Sequence, residues 1–147
     1  MRLDNGTLNH LRATVWPSLE SGWGLPSGIL NAVASWETRG QFNLDAYNSG
    51  SGARGIFQLT PIALKQVKID TGLSVDPRNP YQSSTAAAIL LARASRLFSG
   101  EIALMLAAYN AGEGTAKKFV KTVAETGRGR LPAETRDYIT NVTAMLS

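Results

Sequence analysis

The chain has 147 residues, of which 44% are hydrophobic and 18% charged, a balance typical of one globular domain over residues 1–147 with a sizeable core. It has no cysteine and one histidine, which excludes disulfides, thiolate catalysis and zinc sites built on cysteine or on several histidines. We therefore expect no metal and no cofactor, and acid–base chemistry carried mainly by carboxylates. The net charge of +4 favours an anionic partner: nucleic acid, a membrane surface or an acidic cell-wall polymer.

The spacing of apolar residues predicts a mainly α-helical chain, in about seven segments. A first helix is predicted over residues 7–19, with Thr7 as its N-cap and Pro17 as the point where it kinks or ends. A second helix is predicted over residues 28–37, where apolar residues recur on one side of a helical wheel, and it stops at Gly40. The first forty residues are thus predicted to form two helices joined by a short turn.

The next stretch, residues 41–59, breaks the helical pattern. It carries three closely spaced glycines, Gly50, Gly52 and Gly55, which indicate tight turns, and it ends in an apolar run. This composition predicts a small, irregular β-hairpin or loop. A glycine-rich surface loop without a functional role is the alternative.

The rest of the chain returns to a helical pattern. Helices are predicted over residues 61–72, capped by Thr60, and from Pro80, capped by Asn79, to a stop at Gly100. The second of these has the apolar stripe of a central core helix, and residues 101–112 are apolar almost all round, as in a buried helix. A basic amphipathic helix over residues 115–126, a basic turn over residues 127–130 and a last helix opened by Pro132 complete the chain.

Glu37, at the end of the second predicted helix, projects from near the middle of its apolar stripe. A carboxylate in that position costs free energy unless it is paired, hydrated in a cleft or kept protonated. One explanation is a buried glutamate tied to an arginine or to backbone amides. The other is a catalytic acid that faces a cleft, and the helix alone does not favour either.

Four separated pieces of the chain form a recognisable set. They are Glu37 at a helix end, the stretch Ser49-Gly50-Ser51-Gly52-Ala53-Arg54-Gly55-Ile56-Phe57-Gln58, the motif Ala108-Tyr109-Asn110-Ala111-Gly112, and Glu134-Thr135 followed by Tyr138. Together they resemble the lytic transglycosylase domain of bacterial and phage proteins that cleave peptidoglycan, a lysozyme-like family related to goose-type lysozyme. The resemblance covers roughly residues 25–142. It implies an α+β lysozyme-like fold in which the region near residues 41–59 forms one wall of a cleft.

The resemblance also implies roles for residues at matching positions. Glu37 would be the catalytic acid and base. The residues that would contact the substrate are Ser49, Phe57 and Gln58 of the loop, Tyr109 and Asn110 of the cleft, and Glu134 and Tyr138 at the C-terminal side. Within the loop, Ile56 and Phe57 stand where the family usually has Leu and Met.

Ordinary structural roles stay open for the same side chains. The two tyrosines could be core aromatics with a wet hydroxyl, and the two amides could cap loops. The serine could simply form a turn, and Glu134 could be a first-turn helix residue stabilised by the helix dipole.

The implied reaction is cleavage of the β-1,4 bond between MurNAc and GlcNAc in peptidoglycan, without water, to give 1,6-anhydro-MurNAc ends. Glycosidases commonly pair their acid with a second carboxylate, and the nearest candidate in sequence is Asp45. In lytic transglycosylases one glutamate suffices, as the resemblance implies. A goose-type hydrolase is the alternative, and a non-catalytic cell-wall or nucleic-acid binding module is a more distant one.

The expected setting is the cell wall, in the periplasm or outside the cell. We expect a monomer whose partner is the glycan strand of peptidoglycan, and neither nucleic acid nor a membrane span. The first residues lack the apolar region of a signal peptide, and the longest apolar run, residues 86–92, is too short to cross a bilayer. The chain is therefore expected to be delivered by a phage, as a lysin or virion component, or to be an excised catalytic domain.

Overall fold

The computed structural model describes residues 1–146, most of which are helical. The elements in chain order are α1 (Asn5–His10), a π-helical turn (Leu11–Val15), α2 (Trp16–Trp23), α3 (Ile29–Glu37), β1 (Tyr47–Asn48), β2 (Ala53–Arg54), α4 (Pro61–Thr71), α5 (Pro80–Leu97), α6 (Ile102–Ala111), α7 (Glu113–Thr126) and α8 (Ala133–Ala144). Because α1, the π-helical turn and α2 follow one another without a break, these helices make seven helical stretches within residues 1–146. The predicted fold class, mainly helical with a small hairpin, is confirmed.

The first helical stretch differs from the prediction at both ends. It begins at Asn5 rather than at Thr7, because Asp4 is the N-cap and its carboxylate accepts a 2.8 Å hydrogen bond from the Thr7 amide. Pro17 does not end it. The π-helical turn comes just before the proline, and its wider i to i−5 bonding relieves the clash between a proline ring and the preceding turn.

Helix α3 positions the candidate glutamate. It begins after Gly28, which has a φ of 88°, and it buries five apolar side chains: Ile29, Leu30, Ala32, Val33 and Ala34. Trp36, which the helical wheel places on the apolar stripe, is 37% exposed. Glu37 is the last residue of the helix, where the buried stripe meets the surface.

The predicted irregular hairpin is present. Strands β1 and β2 pair antiparallel, with Tyr47 opposite Arg54, and Arg54 forms a further bridge to Leu59. Gly55 has a φ of 79°, and a Cβ atom there would lie 2.0 Å from the carbonyl oxygen of Pro77. Only glycine therefore allows this loop to pack against the segment that precedes α5.

Helices α5 and α6 form the centre of the core. They pack against each other, and between them they contact α2, α3, α4, α7 and α8. Residues Met105, Leu106, Ala107 and Ala108 of α6 are buried, whereas Ala103 is exposed, so the helix is buried in its middle and not all round. Within residues 1–146 we found no helix with the length and apolar character needed to cross a membrane.

Candidate active site

Glu37 and Tyr138 meet where α3 packs against α8. The Tyr138 hydroxyl donates a 3.2 Å hydrogen bond to Glu37 Oε2, across 101 positions of sequence. Within residues 1–146 the Glu37 carboxyl group makes this one hydrogen bond. It forms no ion pair with an arginine and accepts no hydrogen bond from a backbone amide. The first explanation considered for Glu37, a tethered structural carboxylate, therefore does not describe this site.

The environment of Glu37 raises its pKa to about 7. Burial is the main cause, because the ionised form loses hydration, and the negative charge of Glu134 adds to the effect. The hydrogen bond from Tyr138 acts in the opposite direction, since it stabilises the ionised form. A carboxylic acid with a pKa near neutrality can both donate and accept a proton under physiological conditions.

Tyr109, near the C-terminal end of α6, is the second tyrosine of the site. Its hydroxyl donates a 2.7 Å hydrogen bond to the backbone carbonyl of Phe57, which ties the loop after β2 to α6. Burial raises the pKa of both Tyr109 and Tyr138 well above the ordinary value for a phenol, and the charge of Glu37 raises each pKa further. Both phenols therefore remain protonated donors beside Glu37 across the physiological pH range.

Gln58 shapes the loop between β2 and α4. It has a left-handed backbone conformation, with a φ of 49°, and its amide nitrogen donates to the carbonyls of Ala46 (3.2 Å) and Gly55 (3.0 Å). These bonds hold the end of the hairpin loop closed. They use the donors of the Gln58 side-chain amide. The side-chain oxygen, Oε1, is therefore the group that can accept a hydrogen bond from a ligand.

A groove of about 510 Å³ adjoins these residues. Its floor is aliphatic, and α4 and the junction of α6 with α7 form its two sides. The residues that line it are Gln58, Leu59, Thr60, Ile62, Ala63, Gln66, Leu90, Ala94, Ala108, Tyr109, Asn110, Ala111, Gly112, Glu113 and Gly114. Gln58, Tyr109 and Asn110, three predicted binding residues, therefore share one concave surface.

Two predicted site residues, and the candidate second carboxylate Asp45, lie elsewhere or act at a distance. Ser49 is exposed in the hairpin turn and forms no hydrogen bond with Glu37. Glu134 is exposed in the first turn of α8, one turn before Tyr138, and its effect on Glu37 is through its charge. Asp45 pairs with Arg78 and with the amino group of Met1, which lower its pKa, so a structural role accounts for this carboxylate.

The expectation for Phe57 is corrected. Its side chain is fully buried and its ring packs edge-on against Trp16, with ring centroids 5.9 Å apart. A ring in the core cannot contact a sugar in the groove. The same correction applies to Tyr138, which is 2% exposed and whose hydroxyl donates to Glu37. The backbone carbonyl of Phe57, held by Tyr109, is the part of this residue that belongs to the site.

Glu20, near the end of α2, is a positioning residue that was not predicted from the sequence. It is 5% exposed, and its two carboxylate oxygens accept hydrogen bonds from the amides of Gly28 (3.0 Å) and Leu30 (2.9 Å). It thereby caps the N-terminus of α3, the helix that ends in Glu37. The sequence did contain an indication of this role. Glu20 lies four residues after Trp16, and residues with this spacing share one face of a helix, which is the buried face here.

The fold places the chain in a known structural class. It superposes on the lytic transglycosylase Slt of Pseudomonas aeruginosa, solved as an inactive mutant with one glutamate replaced by glutamine, with a TM-score of 0.74 and 25% identity. The 70 kDa soluble lytic transglycosylase SLT70 of Escherichia coli gives the same TM-score and identity, and each match covers 89% of this chain and 22% of the other. This is the lysozyme-like fold of the Slt proteins.

The family follows from the sequence match. The model of the transglycosylase SLT domain matches residues 15–130, and the chain belongs to that family. It is also 33% identical, over 104 residues, to the membrane-bound lytic murein transglycosylase D of Escherichia coli strain K12. That match covers 66% of this chain and 23% of the relative, so the chain spans about a quarter of the length of this curated relative.

Proposed function

We propose that this domain is a peptidoglycan lytic transglycosylase that cleaves the β-1,4 bond between MurNAc and GlcNAc and leaves 1,6-anhydro-MurNAc ends. The observation that carries the proposal is the Glu37 carboxyl group. It is half-buried at the end of α3, has a pKa of about 7 and accepts a hydrogen bond from Tyr138. The names of the similar proteins support it, since they are lytic transglycosylases. The inactive Glu-to-Gln mutant of the Pseudomonas aeruginosa protein is in accord with a glutamate as the essential acid.

The proposed mechanism uses Glu37 twice. In its protonated form it donates a proton to the glycosidic oxygen, so that the GlcNAc hydroxyl leaves while the N-acetyl group of MurNAc assists at the anomeric carbon. The resulting glutamate then takes the proton from the 6-hydroxyl of the same MurNAc, whose oxygen bonds to the anomeric carbon and closes the anhydro ring. The proton balance of Glu37 is restored and no water is consumed, which suits a pKa near neutrality.

The groove, which Tyr109 lines but Glu37 and Tyr138 do not, is the proposed binding surface for the glycan strand. Its aliphatic floor suits the apolar faces of sugar rings, and the Asn110 amide and the Gln58 carbonyl oxygen suit N-acetyl and hydroxyl groups. Tyr109 contributes a face to the groove while its hydroxyl stays bound to the Phe57 carbonyl. Ser49 and Glu134, both exposed and outside the lining of the groove, stay predicted substrate contacts.

A hydrolase is the second candidate, and Glu134 is the observation that favours it. Its negative charge raises the pKa of Glu37, so it is a second carboxylate near the proposed acid. In an inverting or retaining glycosidase a second carboxylate activates water or forms the covalent intermediate. If Glu134 did either, the product would carry a reducing MurNAc end.

Digestion of purified sacculi, followed by mass measurement of the released muropeptides, tests the proposal. Anhydro-MurNAc products, lighter than the reducing form by one water molecule, are expected from the wild-type chain and none from Glu37→Gln. Reducing products would support the hydrolase instead. Full activity of Glu37→Gln would contradict both mechanisms, and duplex DNA binding without any loss of wall turbidity would favour a binding module.

We further propose that the domain works at the cell wall, in the periplasm or outside the cell. The support is that the similar Escherichia coli protein is named as a transglycosylase of murein. Delivery by a phage stays a prediction, which the position of the gene among lysis or tail genes would test.

A further inference from the structure

The net positive charge of the chain comes from one stretch, residues 114–131, which we call the basic segment. It carries five basic residues and one acidic residue, Glu125, and so accounts for a net charge of +4. The other 129 residues carry ten basic and ten acidic side chains and are neutral overall. The basic residues of the segment are Lys117, Lys118, Lys121, Arg128 and Arg130, and all five are exposed. The net charge of the whole chain is thus the net charge of this segment.

The three lysines lie on one side of α7. At about 100° per residue, positions 117, 118 and 121 fall within an arc of about 100°. Within residues 1–146, Lys121 has a partner in Glu125 at 4.0 Å, but both side chains are more than 60% exposed, and such a pair contributes little. Lys117 and Lys118 form no ion pair with the described residues. The positive charge of this face is therefore available to a partner.

The two arginines are held in place by the turn that follows α7. The Thr126 hydroxyl donates a 2.6 Å hydrogen bond to the carbonyl of Arg128. Gly129, between the arginines, packs so closely on the helix that a Cβ atom there would lie 3.0 Å from Cγ2 of Val123. The turn consequently folds back on α7, which places the backbone of both arginines next to the helix that carries the lysines.

Both ends of the basic segment adjoin the candidate site. Its N-terminal end follows Glu113, which lines the groove beside Asn110. Its C-terminal end is Leu131, which is buried just before α8, the helix that carries Glu134 and Tyr138. A polymer bound across the site therefore passes close to the segment.

We propose that the basic segment is an interaction surface for the free carboxylates of the peptide stems of peptidoglycan. This inference rests on the proposed function. A glycan strand repeats these carboxylates along its length, so several weak contacts form at once while the polymer is in the groove. Attraction across water is screened beyond about 10 Å at 0.1 M salt, so it acts at the wall surface and weakens as salt is added. The basic side chains of the segment form no hydrogen bond or ion pair with Glu37 within residues 1–146, so we expect them to affect binding and not the chemical step.

Sedimentation with purified Gram-negative sacculi tests this surface, because such sacculi lack teichoic-acid phosphates. The protein carries Glu37→Gln throughout, so binding is measured without cleavage and separately from the product assay. The triple variant Lys117→Gln, Lys118→Gln, Lys121→Gln is expected to bind roughly tenfold more weakly at low salt, since each exposed pair contributes a small factor. Binding of the parent protein should fall steeply with NaCl, and binding of the variant, which keeps Arg128 and Arg130, should fall less steeply.

The matched control removes charge elsewhere. Arg128→Gln with Arg130→Gln is expected to weaken binding several-fold, whereas Lys65→Gln with Arg96→Gln, two exposed cations of α4 and α5, should leave it unchanged. Sacculi whose carboxylates have been converted to amides should no longer retain the parent protein. Equal binding by the basic-segment variants and the control, retention by amidated sacculi, or preferential binding to duplex DNA would each overturn the proposal. The muropeptide masses report separately on the proposed function.

Discussion

At the scale of single residues, burial is the main cause of the raised pKa of Glu37, and two residues of α8 change this pKa in opposite directions. Tyr138 lowers the pKa of Glu37 by donating a hydrogen bond to its ionised form, and Glu134, one turn earlier on α8, raises it by charge repulsion. With burial as the largest contribution, the pKa of Glu37 is about 7. Helix α8 therefore adjusts the proton affinity of a group that belongs to α3.

This arrangement predicts opposite effects of two substitutions on the pH profile. Activity requires protonated Glu37, so kcat/KM should fall as the pH rises through a pKa of about 7. Tyr138→Phe removes the stabilising hydrogen bond and should move this alkaline limb to higher pH. Glu134→Gln removes the like charge and should move it to lower pH. Profiles measured on soluble glycan fragments would check this, and shifts in the same direction would contradict it.

At the scale of elements, α3 is anchored at its N-terminus by Glu20 of α2. Glu20→Gln keeps the shape but leaves one acceptor for the two amides of Gly28 and Leu30, with an NH₂ group facing one of them. Loss of this buried bond should lower the free energy of unfolding by about 1–3 kcal/mol. Chemical denaturation would measure it.

The control for Glu20 is Glu101→Gln, at an exposed position. It should change the free energy of unfolding by less than about 0.5 kcal/mol. Equal effects of the two substitutions would show that Glu20 does not anchor the helix.

A second interaction between elements is an ion-pair network at the end of the groove. Arg93 of α5 binds both oxygens of Glu113 at the start of α7, and it binds Asp70 of α4 at 3.2 Å. Gln66 donates to Asp70, and both Gln66 and Glu113 line the groove. The network thus joins the two sides of the groove through a single guanidinium group.

Arg93→Met should therefore loosen the groove. We expect a several-fold rise in KM for glycan fragments and a loss of about 1–3 kcal/mol in stability, since hydrogen bonds to charged groups are lost. The alkaline limb of the pH profile should not move, because Glu37 is untouched. Arg78→Met, which breaks an exposed pair with Asp45, is the control and should leave KM unchanged. A changed kcat with constant KM would contradict a role in binding.

At the scale of the whole molecule, the site is assembled from α3, α6, α8 and the loop after β2, which lie far apart in sequence. The helices, most of their ends and the hairpin could be predicted, because spacing, caps and glycines are local properties. The position of Glu37 on an apolar stripe was likewise local. The family resemblance identified the partners, but local sequence could not tell that the Phe57 ring packs into the core while its carbonyl belongs to the site.

The hydrogen bonds and ion pairs that hold the site together could not be predicted from the sequence either. Glu20 and Arg93 act through partners 8 to 23 positions away, and only the packing of the helices brings these groups together. The predicted N-cap of α1 was wrong for a related reason. Asp4 and Thr7 are both good capping residues. Asp4 has the extended backbone of a cap, and the amide of Leu3 just before it donates to the carbonyl of Phe42, which is distant in sequence.

The raised pKa of Glu37 also makes the stability of the whole domain depend on pH. The folded pKa of about 7 lies above the ordinary value of 4.5, so the folded state binds more protons between these two values. The contribution of Glu37 to stability is therefore neutral below pH 4.5, becomes unfavourable as the pH rises, and reaches its full cost above pH 7. Glu37→Gln removes the cost and should stabilise the domain by about 1–3 kcal/mol at pH 8.5 and hardly at all at pH 4. Thermal unfolding across this range would measure the effect. Glu134→Gln, at an exposed position, should show no comparable gain, and a Glu37→Gln effect independent of pH would mean that ionisation is not its source.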